Sequence, residues 1–167
     1  VIYLGTDDKI KKINFKKKKV ILFVGSRAGY KNFINLLRAF SKSKFLKNNF
    51  KILCFGGEPF SSEEEKMVNK LNLKENILFD NGDESKLNSY YKEASLYVSV
   101  SLFEGFGLTL LEAMRMGCPV LCSNISTFKE IFNNSCMFVN PKNIENIKNK
   151  LERVLKSKKE QKKLIQK

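Results

Sequence analysis

This chain of 167 residues has no histidine, and its four cysteines, Cys54, Cys118, Cys122 and Cys136, form no C-x-x-C pair. A zinc centre therefore lacks its usual ligands. The cysteines stand in apolar, strand-like stretches, so buried and reduced thiols are expected, which suits a cytoplasmic protein. No apolar run approaches the roughly 20 residues that cross a bilayer. The first five residues, Val1-Ile-Tyr-Leu-Gly5, have no Met and no signal pattern, so the chain reads as a fragment that begins mid-protein. Internal repeats are absent, and no low-complexity linker occurs apart from a lysine-rich stretch over 9–19. Acids are scarce, with 17 Asp and Glu against 31 Lys and Arg, a formal charge of +14.

Much of that excess lies in 9–19 and 156–167, the two ends. Solvated termini are one reading. The other is attraction to an anionic membrane face, where each lysine contributes about 1 kcal/mol, giving a peripheral position on the inner side of the membrane. Nucleic acid is not an expected partner, because no recognition helix or RNA-binding aromatic signature accompanies the charge.

With 43% hydrophobic residues spread along its length, the chain is one domain's worth and can bury roughly 70% of its unfolded surface. Short apolar runs at 20–24, 50–55, 77–79, 96–99, 119–122 and 136–139 read as strands. Amphipathic stretches separate them. Phe33, Leu36, Leu37 and Phe40 share one helical face, as do Ile144, Ile147, Leu151, Val154 and Leu155. Helices also fit 63–71, 86–93, 108–116 and 127–132. The alternation predicts an α/β domain over 19–167 with a Rossmann-like parallel sheet of six strands and helices on both faces, preceded by a linker over 1–18. Such sheets bind ligands beyond the carboxyl ends of their strands.

Glu104-Gly-Phe-Gly-Leu-Thr-Leu-Leu-Glu112 follows one of these strands and leads into a helix-forming run. Gly105 and Gly107 permit close approach of a ligand to the backbone, and the first N–H groups of the helix can meet phosphate oxygens. The two carboxylates are acceptors for sugar hydroxyls. The segment should hold a ligand that carries both phosphate and hydroxyls. Glu112 has apolar neighbours in the sequence and is expected to need a partner. Arg27 and Lys31 stand on a strand-to-helix loop where a guanidinium and an ammonium can clamp a diphosphate; the frame is not that of a P-loop. Gly56-Gly57 and Asn81-Gly82-Asp83 are turn signals first. Asp80 and Asp83 without a third ligand do not make a metal site.

The Glu104-x7-Glu112 spacing around Glu-Gly-Phe-Gly, with Gly25-Ser-Arg27, Lys31-Asn32, Leu111-Glu-Ala-Met114, Gly117-Cys-Pro-Val120 and Ser123-Asn-Ile-Ser126, resembles glycosyltransferase family 4, the retaining GT-B enzymes. The resemblance implies the C-terminal, donor-binding half of a GT-B fold that binds a GDP- or UDP-sugar, mannose first, and transfers a hexose with retention. It further implies that Arg27 and Lys31 hold the diphosphate, that Gly56 lies on the nucleoside side and Asn81 near the base, and that Glu112 accepts from the ribose. Glu104 would contact the transferred sugar as the catalytic residue. The backbone of Phe106, Gly107, Leu108 and Thr109 would meet the phosphate, so that no metal or other cofactor is required. The glycan or lipid-linked acceptor would sit on an N-terminal domain outside this chain, as would the family's C-terminal return helix, leaving the isolated domain nearly inactive.

Four alternatives stand beside this reading. A sugar-nucleotide epimerase shares the fold, but Glu-Gly-Phe-Gly favours transfer. A dinucleotide-binding oxidoreductase lacks the third glycine of its fingerprint, where Leu110 stands. A non-catalytic nucleotide-binding or membrane-recruitment module has only the charge in its favour. A glycosidase, which sets two carboxylates across one bond, fits less well than a pair flanking a phosphate-binding helix start.

Overall fold

The computed structural model describes residues 17–27 and 29–165. Strands β1 (Lys18–Val24), β2 (Lys51–Phe55), β3 (Ile77–Asp80), β4 (Ala94–Ser99), β5 (Val120–Ser123) and β6 (Met137–Val139) form one sheet in the order β3-β2-β1-β4-β5-β6. Every pairing is parallel. Helices α1 (Phe33–Ser41), α2 (Lys44–Asn49), α3 (Ser62–Lys70), α4 (Glu84–Glu93), α5 (Leu108–Arg115), α6 (Ser126–Phe132), α7 (Ile144–Lys156) and α8 (Lys158–Ile165) connect and follow the strands, with short 3-10 turns at Gly29–Lys31 and Lys74–Asn76. The predicted Rossmann-like sheet with helices on both faces is the architecture observed.

Side-chain alternation along the strands builds two cores. Ile21, Phe23, Ile52, Cys54, Leu96 and Val98 face α1, α3 and α7, whereas Leu22, Leu53, Phe55, Tyr97 and Cys122 face α4, α5 and α6. Burial on both sides is why these strands read as unbroken apolar runs. The helical stripe Phe33, Leu36, Leu37 and Phe40 is wholly buried, as are Ile147, Leu151 and Val154. At about 1.5–3 kcal/mol per large apolar side chain, such stripes hold the helices far more strongly than their intrinsic propensity does.

Three differences from the sequence reading have local causes. Helix α4 begins at Glu84, two residues ahead of expectation, because the Asp83 carboxylate accepts from Lys86 N at 2.9 Å and caps it. Helix α2 was not anticipated: its six residues, Lys-Phe-Leu-Lys-Asn-Asn, are too few for a periodic signal, and the Ser43 cap with buried Leu46 forms it. Residues 158–165, within the basic end for which no helix was read, form α8, which buries Leu164 and pairs Glu160 with Arg153 at 3.1 Å.

Strand β1 starts at Lys18, one residue before the predicted domain boundary. The proposed linker up to residue 16, and the lysines within it, lie outside the described residues. Lys17 donates to Lys92 O at 2.8 Å and Gly117 O at 3.0 Å, so its ammonium sits at the carboxyl ends of α4 and α5, where the helix dipole favours a cation. All four cysteines are buried. Among the described residues no helix is long and apolar enough to cross a membrane.

Candidate functional site

The strand order reverses between β1 and β4, so the loops that leave their carboxyl ends diverge and open a crevice there. Residues 30–32, after β1, grip residues 100–104, after β4. Tyr30 O accepts from Leu102 N at 2.7 Å, and the Asn32 side-chain amide donates to Val100 O at 3.0 Å and Pro141 O at 2.8 Å. Between them, Lys31 Nζ lies 2.7 Å from Glu104 Oε1, and Ser101 Oγ donates to the same oxygen at 2.7 Å. The two charged side chains are only 21% and 16% exposed, so solvent screens the pair less than it would at an open surface. Lys31 and Glu104, 73 positions apart, are thus brought together.

The next segment turns into α5. Gly107 is its N-cap, at φ 84°, with no side-chain cap hydrogen bond, so the leading N–H groups of the helix remain available to a ligand. The helix proper begins at Leu108. A β-carbon at Gly107 would lie 2.7 Å from Phe128 Cε1 and 3.2 Å from Phe132, so glycine is required on both conformational and packing grounds. At Gly105 the same test meets nothing within 4 Å. Phe106 is half-buried and Leu108 is exposed. Thr109 Oγ1 accepts from Tyr97 OH at 2.8 Å, which ties the first turn to the core.

Glu112 has the partner expected of it, though at the surface. It is exposed, because Leu110 and Ala113 take the buried face of α5 while the carboxylate turns out. Tyr91 OH, on α4, donates to its Oε2 at 3.1 Å. Burial, with the nearby Tyr97 and Glu112 adding to it, pushes the Tyr91 phenol well above its usual range, which keeps it a donor.

The largest correction concerns Arg27. It is buried, and its guanidinium faces the loop after β2: Nε meets Glu64 Oε1 at 2.9 Å, Nη1 meets Gly56 O at 3.4 Å, and Nη2 meets Glu58 O and Pro59 O, the latter at 3.1 Å. It also stacks over Phe60 and Phe79, with centroids 4.6 and 5.4 Å away. It is no solvated charge: every guanidinium nitrogen is engaged within the protein. The sequence placed Arg27 on a ligand loop, but which side of the loop its side chain takes is settled by the acid and carbonyls of a segment 29–37 residues away.

Gly56, at φ 78°, donates its N–H to Asp80 O at 3.0 Å and so links the loops after β2 and β3. Asn81 is exposed in the second loop, where its Oδ1 accepts from Gly82 N at 2.8 Å. The Asp80 carboxylate accepts from Lys86 Nζ at 2.7 Å and from Tyr90 OH. These hydrogen bonds pull its pKa down to about 2 and hold the Tyr90 phenol up at about 12. Adjacent tyrosines on α4 therefore brace two different acids, Asp80 and Glu112. Sequence reasoning missed Tyr91, Ser101 and the role of Asn32; the Tyr-Tyr pair in an otherwise polar helix was the one available signal.

Fold and crevice together define a Rossmann-like domain with a cation, a carboxylate and an open helix start at its topological switch. The family model described as "Glycosyl transferases group 1" matches residues 6–167, and the chain belongs to that family. It is 33% identical over 156 residues to "Uncharacterized glycosyltransferase MJ1607" of Methanocaldococcus jannaschii, a match that covers 86% of this chain and 39% of the relative. It is 32% identical over 130 residues to "O-antigen chain mannosyltransferase RfbU" of Salmonella typhimurium, covering 75% of this chain and 35% of that one. The chain thus spans under two fifths of these relatives' length. Among solved structures, the C-terminal domain of a glycosyl transferase group 1 protein (LpcC) from Francisella tularensis superposes with a TM-score of 0.76 at 26% identity, over 90% of this chain and 82% of that one.

Proposed function

We propose that this domain binds a nucleoside-diphosphate hexose, a GDP- or UDP-sugar with GDP-mannose the first candidate, for transfer with retention to a glycan or lipid-linked acceptor. The observation that carries the reading is the Lys31–Glu104 pair at 2.7 Å in the β1/β4 crevice, immediately ahead of an α5 start without a side-chain cap. Lys31 and the N–H groups from Gly107 to Thr109 receive the diphosphate as the bond from the sugar's anomeric carbon to its phosphate oxygen breaks, and the bond's electron pair leaves on that oxygen. Glu104 contacts the sugar and stabilises positive charge developing at the anomeric carbon. Glu112, braced by Tyr91, accepts from the ribose hydroxyls, while the loops at Gly56 and Asn81 take the nucleoside. Because a fixed cation and helix start supply the positive field, no divalent metal is needed.

Exposed Tyr30, Leu102, Phe103 and Leu108 border these loops. They suit a second, acceptor-binding domain across the crevice, without which turnover is nearly absent. Four buried thiols are in keeping with a reducing cytoplasmic location, and the excess positive charge with peripheral contact to an anionic bilayer.

Titration calorimetry of UDP, GDP and their hexose conjugates, with and without chelator, tests this reading. Binding should persist in chelator. Glu112→Ala should weaken nucleotide and nucleotide sugar alike, and Glu104→Ala only the sugar-dependent part. An absolute metal requirement, or equal effects of both variants on free nucleotide, would overturn it.

A further inference from the structure

We infer that Arg27 is a positioning residue that shapes the loop at residues 56–60 for the nucleoside part of the donor and does not itself bind the phosphates. The inference rests on the donor-binding reading above. All three guanidinium nitrogens are engaged, by the two oxygens of Glu64 and by three backbone carbonyls, those of Gly56, Glu58 and Pro59. Its side chain is only 4% exposed. A phosphate would have to displace several of these contacts at once to recruit it.

The loop that Arg27 holds has little internal structure to define it. Gly56 and Gly57 both have positive φ, at 78° and 73°, and the backbone at Gly57 presses against the loop after β1, where an added β-carbon would stand 3.2 Å from Gly25 O. Three carbonyls converging on one cation fix such a chain where no ladder can. Glu64 extends the hold into α3, since the same carboxylate completes a capping box with Ser61, accepting from Ser61 N at 2.8 Å. Phe60 is fixed by the guanidinium stacked on its ring.

Position gives this strut a role in binding. Strands β1 and β2 are neighbours, with Val24 opposite Phe55, and Gly25 N donates to Phe55 O at 2.8 Å. The loops bearing Arg27, Gly56 and Asn81 therefore follow one another along the carboxyl edge of the sheet, on the β2/β3 side of the crevice, while Lys31 and Glu104 stand at its β1/β4 centre. Lysine cannot replace this arginine. A single ammonium cannot meet a carboxylate, three carbonyls and two aromatic faces in that geometry.

The test uses Arg27→Lys and Glu64→Gln in this chain, with UDP, GDP and inorganic pyrophosphate as probes. Arg27→Lys should weaken the tighter of the two nucleoside diphosphates at least tenfold and pyrophosphate by less than twofold, with Glu64→Gln shifting the same ratio in the same direction. In the ligand-free protein, amide hydrogen exchange should speed up over 56–64 and stay unchanged in β4 and α5. Equal losses for nucleotide and pyrophosphate would make Arg27 a phosphate ligand and overturn the inference. So would unchanged exchange over 56–64, or unchanged nucleotide affinity in both variants. Should Arg27→Lys fail to fold, Glu64→Gln carries the same comparison. A wild-type chain that binds neither nucleotide nor pyrophosphate sinks the donor-binding reading itself, and with it the purpose assigned to the loop, even where exchange shows that Arg27 holds it.

Discussion

Gly107→Ala isolates the helix start on which the proposed site depends. The residue sits at φ 84° and ψ 44°, so an L-side chain there costs roughly 1–2 kcal/mol in backbone strain alone. Its new methyl would stand 2.7 Å from Phe128 Cε1 and 3.2–3.3 Å from the Phe132 ring. These rings are buried and packed edge to face at 5.6 Å, so they have little room to withdraw, and overpacking of this kind adds about 1–3 kcal/mol. A combined cost of about 2–5 kcal/mol lowers the melting temperature of a domain this size by about 5–20 °C. Displacement of α5 also moves the N–H groups assigned to the diphosphate, so nucleoside diphosphate affinity should fall at least tenfold. Differential scanning calorimetry gives the first quantity, and titration calorimetry well below the variant's melting point gives the second. Gly105→Ala is the control, since its added methyl meets nothing within 4 Å, and it should melt within about 2 °C of wild type. A Gly107→Ala protein with wild-type melting would refute the packing argument. One that melts early yet binds nucleotide undiminished would refute the helix-start anion site.

Lys31→Ala and Glu104→Ala should be non-additive in thermal stability, with a coupling of about 1–2 kcal/mol by double-mutant cycle, because each removes the partner of a mostly shielded charge; strict additivity would show that the pair does not form in solution. Tyr91→Phe should cost about 1–2 kcal/mol and weaken nucleotide binding several-fold by releasing Glu112, and unchanged affinity measured by calorimetry would remove Tyr91 from the site. The Asp80 carboxyl should titrate near pH 2 by carbon-detected NMR. Since its folded pKa is depressed, the stability it contributes is complete above the ordinary carboxylate value of about 3.9 and is lost as pH falls through about 2; a midpoint near 4 would mean that the Lys86 and Tyr90 contacts are not held.

The sheet was legible in the sequence because central parallel strands, covered on both faces, must be continuous apolar runs, and the partly buried edge strands β3 and β6 still stood where short apolar runs occur. Helices with long stripes, such as α1 and α7, were equally plain. Helix α2, six residues held by a serine cap and one buried leucine, had no period to detect. Helix α8 is lysine-rich, and tertiary contacts, the burial of Leu164 and the Arg153–Glu160 pair, distinguish it from a solvated tail.

At the site, local chemistry and long-range geometry divide in the same way. Glu104-Gly-Phe-Gly and its following helix are local, so residue types alone marked a carboxylate, a flexible turn and an open helix start. The order of strands set which loops share the crevice, and that order joined Lys31 to Glu104 and Tyr91 to Glu112. Arg27 makes the distinction sharpest. Its charge and loop were read directly from the sequence, but a guanidinium takes whichever neighbours best satisfy its five N–H groups. Those neighbours, Glu64 and the carbonyls after β2, meet it only when β1 and β2 lie side by side.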